Sequence, residues 1–224
     1  MKYHLCRFLG FYLLWIVVTV AAPLDVLLVA YDTGDSNIMR QLAHRLDQEH
    51  KPYKIVGFGR AKAIFKDHSH FYEIKGGSPV DRSEPIADQV IAQLKEDFHP
   101  RSVLVGMASV GQAQVANAFS DSRVFAVYDN FDSPQQKEFV QPFLNHINSS
   151  VQFMVPASFL AEDFKVHTSV PVIVVGQPAL EEWSDVFETV DKGQLRKRLK
   201  IGDKDRVILF AGGMDATYSR YFET

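Results

Sequence analysis

Apolar runs too continuous to alternate recur along this chain, each passing into a short polar loop and then into apolar residues at helical spacing. The stretch Leu24 to Leu46 sets the pattern. Val26-Leu27-Leu28-Val29-Ala30 suits a strand covered on both faces, as in a parallel sheet. It stops at Asp32-Thr33-Gly34-Asp35-Ser36, after which Ile38, Met39, Leu42, Ala43 and Leu46 share one helix face. Ligands of open α/β sheets sit outside the carboxyl ends of strands, so the loop 32–36 is the first place to look for chemistry.

Six further strands follow by the same reading, at 53–58, 70–74, 102–105, 123–128, 151–155 and 170–175, and a last one at 207–210. A helix is expected from Ser83 as cap and Pro85 in its first turn, with Ile86, Val90, Ile91, Leu94 and Phe98 buried. Val110 to Phe119, rich in Ala and Gln, reads as a helix packed close on the sheet. Ser133-Pro134-Gln135-Gln136 reads as a capped helix start, with Phe139, Val140, Phe143, Leu144 and Ile147 as its stripe and Pro142 as an interruption within it. Another helix is expected at 157–164. A further capped start falls at Asp191, with Leu195 and Leu199 facing inward. Strands alternate with helices throughout, which predicts an α/β class: a Rossmann-like, doubly wound, mostly parallel sheet.

The N-terminus departs from this pattern. Lys2, His4 and Arg7 precede an apolar run from Phe8 to Ala22, which ends in Val20-Ala21-Ala22. This is a secretory signal pattern with cleavage after Ala22, and the run is short for a bilayer span of ~20 residues. An uncleaved anchor is the competing reading. Either one exports the domain, as a secreted or periplasmic protein or a membrane-anchored one. Cys6 is the single cysteine. Removing residues 1–22 leaves none, which excludes disulfides, zinc thiolates and a Cys nucleophile. The formal charge is −3, and no basic run exceeds Arg196-Lys197-Arg198, so nothing points to nucleic acid. With 17 Phe and 8 Tyr in 224 residues, apolar mass for a large core is present. The eight His show no metal spacing, and His68 and His70 read as surface residues.

The order of segments resembles a family. Val172-Ile173-Val174-Val175-Gly176-Gln177-Pro178 is followed by a charged helix, Arg196 to Asp205, and then by Val207-Ile208-Leu209-Phe210-Ala211-Gly212-Gly213. This is similar to GT-B-type glycosyltransferases, notably the UDP-sugar:lipid transferases that make lipid-linked muropeptide and galactolipid, and to the related UDP-N-acetylglucosamine 2-epimerases. In them a Gly-Asn-Pro-like turn closes the first domain, and a strand ending in Gly-Gly opens the second. Gln177 stands where Asn is usual. The first loop is acidic rather than of the Gly-Gly-His type. After the signal peptide or anchor at 1–22, the resemblance implies a Rossmann-like acceptor-side domain at 23–178, a helical linker at 179–204, and the start of a truncated second domain at 205–224. It also implies a nucleotide-sugar donor such as a UDP-sugar, held in part by Gly212 and Gly213, and a small-molecule or glycolipid acceptor. Membrane association would come through the N-terminal segment. No cofactor or metal is expected.

Three loops should share one rim if the first and fourth strands are neighbours. They hold Asp32, Thr33, Gly34 and Asp35; Gly106 and Ser109; and Asp129, Asn130 and Asp132. Asp32 or Asp35 would accept a proton from an acceptor hydroxyl, as an inverting transferase requires. The plainer reading makes Asp35 or Ser36 a helix cap. Thr33, Gly34, Gly106, Ser109, Asp129 and Asn130 would line the substrate. The loop 106–109 would bind an anion through its amides or simply make a tight turn. A hard-cation site of Asp32, Asp129 and Asp132 competes with capping by Asp132 or Ser133. The expectation is a transferase half, inactive alone; the alternatives are an exported sugar- or small-molecule-binding protein and a nonfunctional remnant.

Overall fold

The structure is a computed structural model of the 224-residue chain. It describes residues 24–74, 81–136, 138–178, 188–202 and 204–207. The expected signal segment, the expected strand 207–210 apart from Val207, Gly212 and Gly213 lie outside the described residues. The chain divides into two compact units, Met1–Ala179 and Leu180–Thr224. Among the described residues, no helix is long and apolar enough to cross a membrane.

The first unit has a Rossmann-like α/β fold. Its strands are β1 (Val26–Ala30), β2 (Tyr53–Gly57), β3 (Phe71–Tyr72), β4 (Ser102–Gly106), β5 (Arg123–Val127), β6 (Gln152–Val155) and β7 (Ile173–Val174). Its helices are α1 (Thr33–Gln48), α2 (Ala61–Phe65), α3 (Asp88–Asp97), α4 (Val110–Ala118), α5 (Gln141–Leu144) and α6 (Ser158–Phe164). The strands form one sheet in the order β3-β2-β1-β4-β5-β6-β7, and every pairing is parallel. The apolar runs are continuous because both faces of the sheet are used. Leu27 and Val29 enter a core with Val90 and Leu94 of α3, Ala113 and Ala116 of α4, Phe143 of α5 and Phe164 of α6. Leu28 and Ala30, pointing the other way, pack with Ile38, Met39 and Ala43 of α1 and Ala61 and Phe65 of α2.

Several elements differ from the sequence reading. The helix expected from Ser83 begins only at Asp88, with Ala87 as its cap. Ile86 is buried but not helical, because the Gln114 amide holds its backbone. The Ile86 N–H donates to Gln114 Oε1 at 2.6 Å, and Gln114 Nε2 donates to the Ile86 carbonyl at 3.2 Å. Ser133 starts only a 3-10 turn at Pro134–Gln136. The helix proper waits until Gln141, which places Pro142 in the first turn, where its missing N–H costs nothing. The outer strands shrink to the two-residue pieces β3 and β7, each paired on one side only.

In the second unit, α7 (Lys192–Arg198) is capped by Asp191, whose carboxylate accepts the N–H groups of Gly193 and Gln194. No residue of α7 is buried, and Leu199 is exposed rather than inward-facing.

Candidate functional site

The strand order reverses between β1 and β4, and the loops after β1, β4 and β5 leave the same edge of the sheet. The first of them is built as a helix cap. Asp32, not Asp35 or Ser36, is the N-cap of α1, with extended backbone. Its Oδ1 accepts the N–H of Gly34 at 3.0 Å and of Asp35 at 3.3 Å. Asp35, three residues on, returns the bond by accepting the Asp32 N–H at 3.0 Å, which completes a capping box. The Ser36 hydroxyl donates to the Asp32 carbonyl. The helix thus starts a turn earlier than the sequence reading placed its cap.

Asp35 is buried, and its carboxylate lies directly on β4. A Cβ built on Gly106 would sit 2.1 Å from Asp35 Oδ2. Asp35 also accepts the Tyr31 N–H at 3.0 Å and Gln112 Nε2 at 2.6 Å. Burial, then the nearby Asp32 carboxylate, raise the Asp35 carboxyl well above the ordinary Asp range, while its donors pull the other way. Gln112 ties the β1 and β4 loops together. Its Nε2 also reaches the Val29 carbonyl at 3.3 Å, and its Oε1 accepts the Ala108 N–H at 2.8 Å. Ser109 is buried and caps α4, accepting the Gln112 N–H through its Oγ. Sequence reasoning passed over Gln112 because nothing marks a Gln in an Ala-rich helix as special.

The third loop brings Asp129 over α1. A Cβ on Gly34 would lie 2.0 Å from Asp129 Oδ2 and 3.5 Å from Asp32 Oδ1, so two carboxylates flank one glycine. Asp129 is half-buried. Burial first, and the Asp32 charge second, push its carboxyl up to about 6, against a lowering hydrogen bond from Asn130 Nδ2 at 2.7 Å. A carboxyl in that range exchanges its proton near neutral pH. Gln177, in the turn after β7, donates through Nε2 to the Asp129 carbonyl at 2.7 Å, while its buried Oε1 has no partner among the described residues. Gly176 beside it has φ of 76°, a conformation glycine adopts freely. Phe131, two residues past Asp129, is exposed.

The rim therefore gathers Asp32, Thr33, Gly34, Asp35, Gly106, Ser109, Asp129 and Asn130. Thr33 is exposed, while Gly106, Ser109 and Asp35 lie beneath the surface. Asp132 offers its carbonyl to the Tyr128 hydroxyl, and the Ser133 hydroxyl bonds the Gln135 side chain. Among the described residues, no group of three or more His, Asp, Glu or Cys is arranged to hold a metal ion, so the Asp32–Asp129–Asp132 cation site is not formed.

By sequence, no protein-family model matches this chain. No curated protein matches it either. By structure, it is similar to UDP-GlcNAc 2-epimerase from Neisseria meningitidis, solved bound to UDP-GlcNAc. The TM-score is 0.51 at 13% identity, over 79% of this chain and 53% of that one. UDP-N-acetylglucosamine 2-epimerase from Rickettsia bellii gives 0.46 at 11% identity, over 81% and 52%. A putative UDP-N-acetylglucosamine 2-epimerase from Listeria monocytogenes gives 0.47 at 14% identity, over 76% and 49%. The Neisseria likeness is one of fold and agrees with the Rossmann-like parallel sheet. The chain spans about half the length of these proteins.

Proposed function

We propose that this chain is the acceptor-side half of a GT-B-type enzyme that works on a nucleotide sugar, with a UDP-sugar as donor and a small-molecule or glycolipid acceptor. The β1, β4 and β5 loops form the wall against which the acceptor lies. One observation carries the reading: beside the switch point, the Asp129 carboxyl lies against Gly34 next to the Asp32 carboxylate, in a setting that raises it to about 6. A hydroxyl acceptor needs such a group, and so does any inversion at a carbon of the sugar. Asp35 has no free face toward a substrate, so the proton-handling role assigned to Asp32 or Asp35 falls to Asp129.

Binding without turnover is the second reading. It is favoured by the capping bonds that hold both Asp32 and Asp35.

The test incubates the chain with UDP-GlcNAc and other nucleotide sugars, with and without acceptors, and follows UDP release, altered sugar and melting temperature. A ligand at a hundred times its Kd should stabilise the protein by about 2.7 kcal/mol. Where turnover is seen, Asp129→Asn should lower it by about 10²–10⁴-fold. A saturable rise in melting temperature without turnover selects the binding protein. No response to any nucleotide sugar, free sugar or acceptor defeats both readings.

A further inference from the structure

One cation at the rim has no counter-ion. Arg82 lies ahead of α3, and its carbonyl accepts the N–H of Val110, the first residue of α4, at 2.8 Å. Four residues on, Ile86 is tied to α4 by both hydrogen bonds of the Gln114 amide. The main chain thus holds Arg82 at the start of α4, next to the Ser109 cap on the switch-point edge. Its guanidinium lies over the Phe139 ring, 5.7 Å from the centroid, a contact that orients the cation without neutralising it. Its Nη1 is buried and has no acceptor among the described residues, and no ion pair among them includes Arg82. The residue as a whole is partly exposed. The carboxylate of its neighbour Asp81 accepts the Ser83 N–H at 2.7 Å instead. Tyr31, which follows β1, senses the same charge: burial raises its hydroxyl, Arg82 lowers it, and Asp81, Asp32 and Glu84 raise it.

We propose that Arg82 binds an oxyanion, a phosphate or carboxylate carried by the small molecule that lies on this rim. A guanidinium stays charged, and its fork of donors matches two oxygens of either group. A charged donor buried without an acceptor is costly and uncommon, and an anion at the guanidinium offsets that cost. Part of the water around Arg82 is already displaced in the free protein, so an oxyanion reaching its exposed edge has less left to displace. The amides of Ala108 and Val110, which the sequence offered for an anion, are in use. Ala108 donates to Gln112 Oε1 at 2.8 Å and Val110 to the Arg82 carbonyl. The carboxylates of Asp32 and Asp129 repel an anion and suit hydroxyl groups. The ligand is therefore a polar molecule with hydroxyls at one end and an oxyanion at the α4 end. This rests on the proposed function only in taking the rim as a binding surface; it holds with or without turnover.

The experiment titrates the full chain, at low salt, with inorganic phosphate, glucuronate and glucose, following melting temperature and the NMR signals of the Val110 amide and the Phe139 ring. Phosphate, glucuronate or both should raise the melting temperature saturably and shift those two signals, while glucose should do neither. A response to phosphate alone assigns a phosphorylated ligand, to glucuronate alone an acidic sugar, and to both an oxyanion of either kind. Arg82→Met keeps an apolar chain on Phe139 and removes the charge. It should weaken anion binding by about 10- to 100-fold. Without anion it should melt no lower than the native chain, because an unpaired, partly buried charge is gone. Arg82→Lys keeps the charge without the fork and should weaken binding less than Arg82→Met. If Arg82→Met does not fold, the shifts at Val110 and Phe139 of the native chain decide. No saturable response to either anion overturns the proposal. So do shifts centred on Arg196–Arg198, a glucose response equal to that of the anions, or equal binding by the native chain and a folded Arg82→Met. Because no nucleotide sugar or turnover enters, failure here is separate from failure of the proposed function.

Discussion

Two glycines at the rim look alike in the sequence and should respond differently to a methyl group. At Gly106 an added Cβ meets Asp35 Oδ2 at 2.1 Å and its Cβ and Cγ at 2.4 and 2.6 Å. Asp35 cannot retreat without giving up the Tyr31, Asp32 and Gln112 donors in a buried place. Gly106→Ala should therefore cost about 1–3 kcal/mol through overpacking, read as a lowered urea midpoint with unchanged slope. At Gly34 the obstruction is the free end of Asp129 alone. Gly34→Ala should leave the urea midpoint close to native and instead move the Asp129 titration, since its carboxyl must swing off the cap. Equal destabilisation by both would contradict this account of the rim. The loop itself was legible in the sequence: acidic residues and a Gly between an apolar run and a helical stripe. Which residue caps was not, because Asp32, Asp35 and Ser36 all suit the role and only backbone geometry chooses. Gln112 was illegible for a different reason. Its partners Asp35 and Val29 lie 77 and 83 residues away, beyond any local signal.

At the scale of elements, the turn joining α2 to β3 holds a titratable hinge. His68 and His70, read from the sequence as surface residues, are partly exposed and also pack with Tyr53 and Phe65. The rings of Tyr53 and His70 stack at 4.3 Å, and Phe65 meets His68 edge-on at 6.1 Å. The His70 N–H donates to His68 Nδ1 at 3.2 Å, while the His70 carbonyl accepts the Ile55 N–H of β2 at 3.0 Å. His68 must therefore keep Nδ1 unprotonated for the turn to hold. Burial lowers its pKa, His70 adds to that, and Asp47 opposes them. A group lowered in the folded state binds more protons when unfolded, so this contribution is present above about pH 6.5 and fades as pH falls below it. His68→Asn keeps an acceptor that does not titrate. Between pH 7.5 and 5, the native chain should lose more melting temperature than the variant; equal losses would remove His68 from the account. The same scale explains the misread helix starts. Ser83 and Ser133 carry good local capping signals, but the Gln114 amide holds Ile86 outside the helix and Pro142 delays α5. Local propensity gave way to tertiary bonds and to a missing N–H.

For the molecule as a whole, the continuity of the apolar runs already implied a parallel sheet, and that sheet is what brings the distant loops together. Pairing of β1 with β4 and of β4 with β5 carries residues 32–36, 106–109 and 129–130 to one edge. Strand order is a property of long-range pairing, so the sequence could suggest the meeting point only through the usual habit of doubly wound sheets. The opposite edge of the sheet also offers polar surface. Asn117, Ser122 and Asn148 line a small cavity there, and Asn117 bridges the His146 carbonyl and the Asn148 N–H. These two ends give the functional reading a geometric test that does not depend on turnover. A sugar or nucleotide sugar that uses the switch point should slow amide exchange at Gly34, Asp35, Ser109 and Asn130 together, since all three loops share the site. The amides of Ser122, Asn148 and His70, at other edges, should exchange as in the free chain. The joint footprint is the decisive feature, because a ligand resting on one loop alone would protect that loop only. Protection centred on Asn117 and Asn148 would move the site to the wrong end of the strands and remove Asp129 from any role in binding.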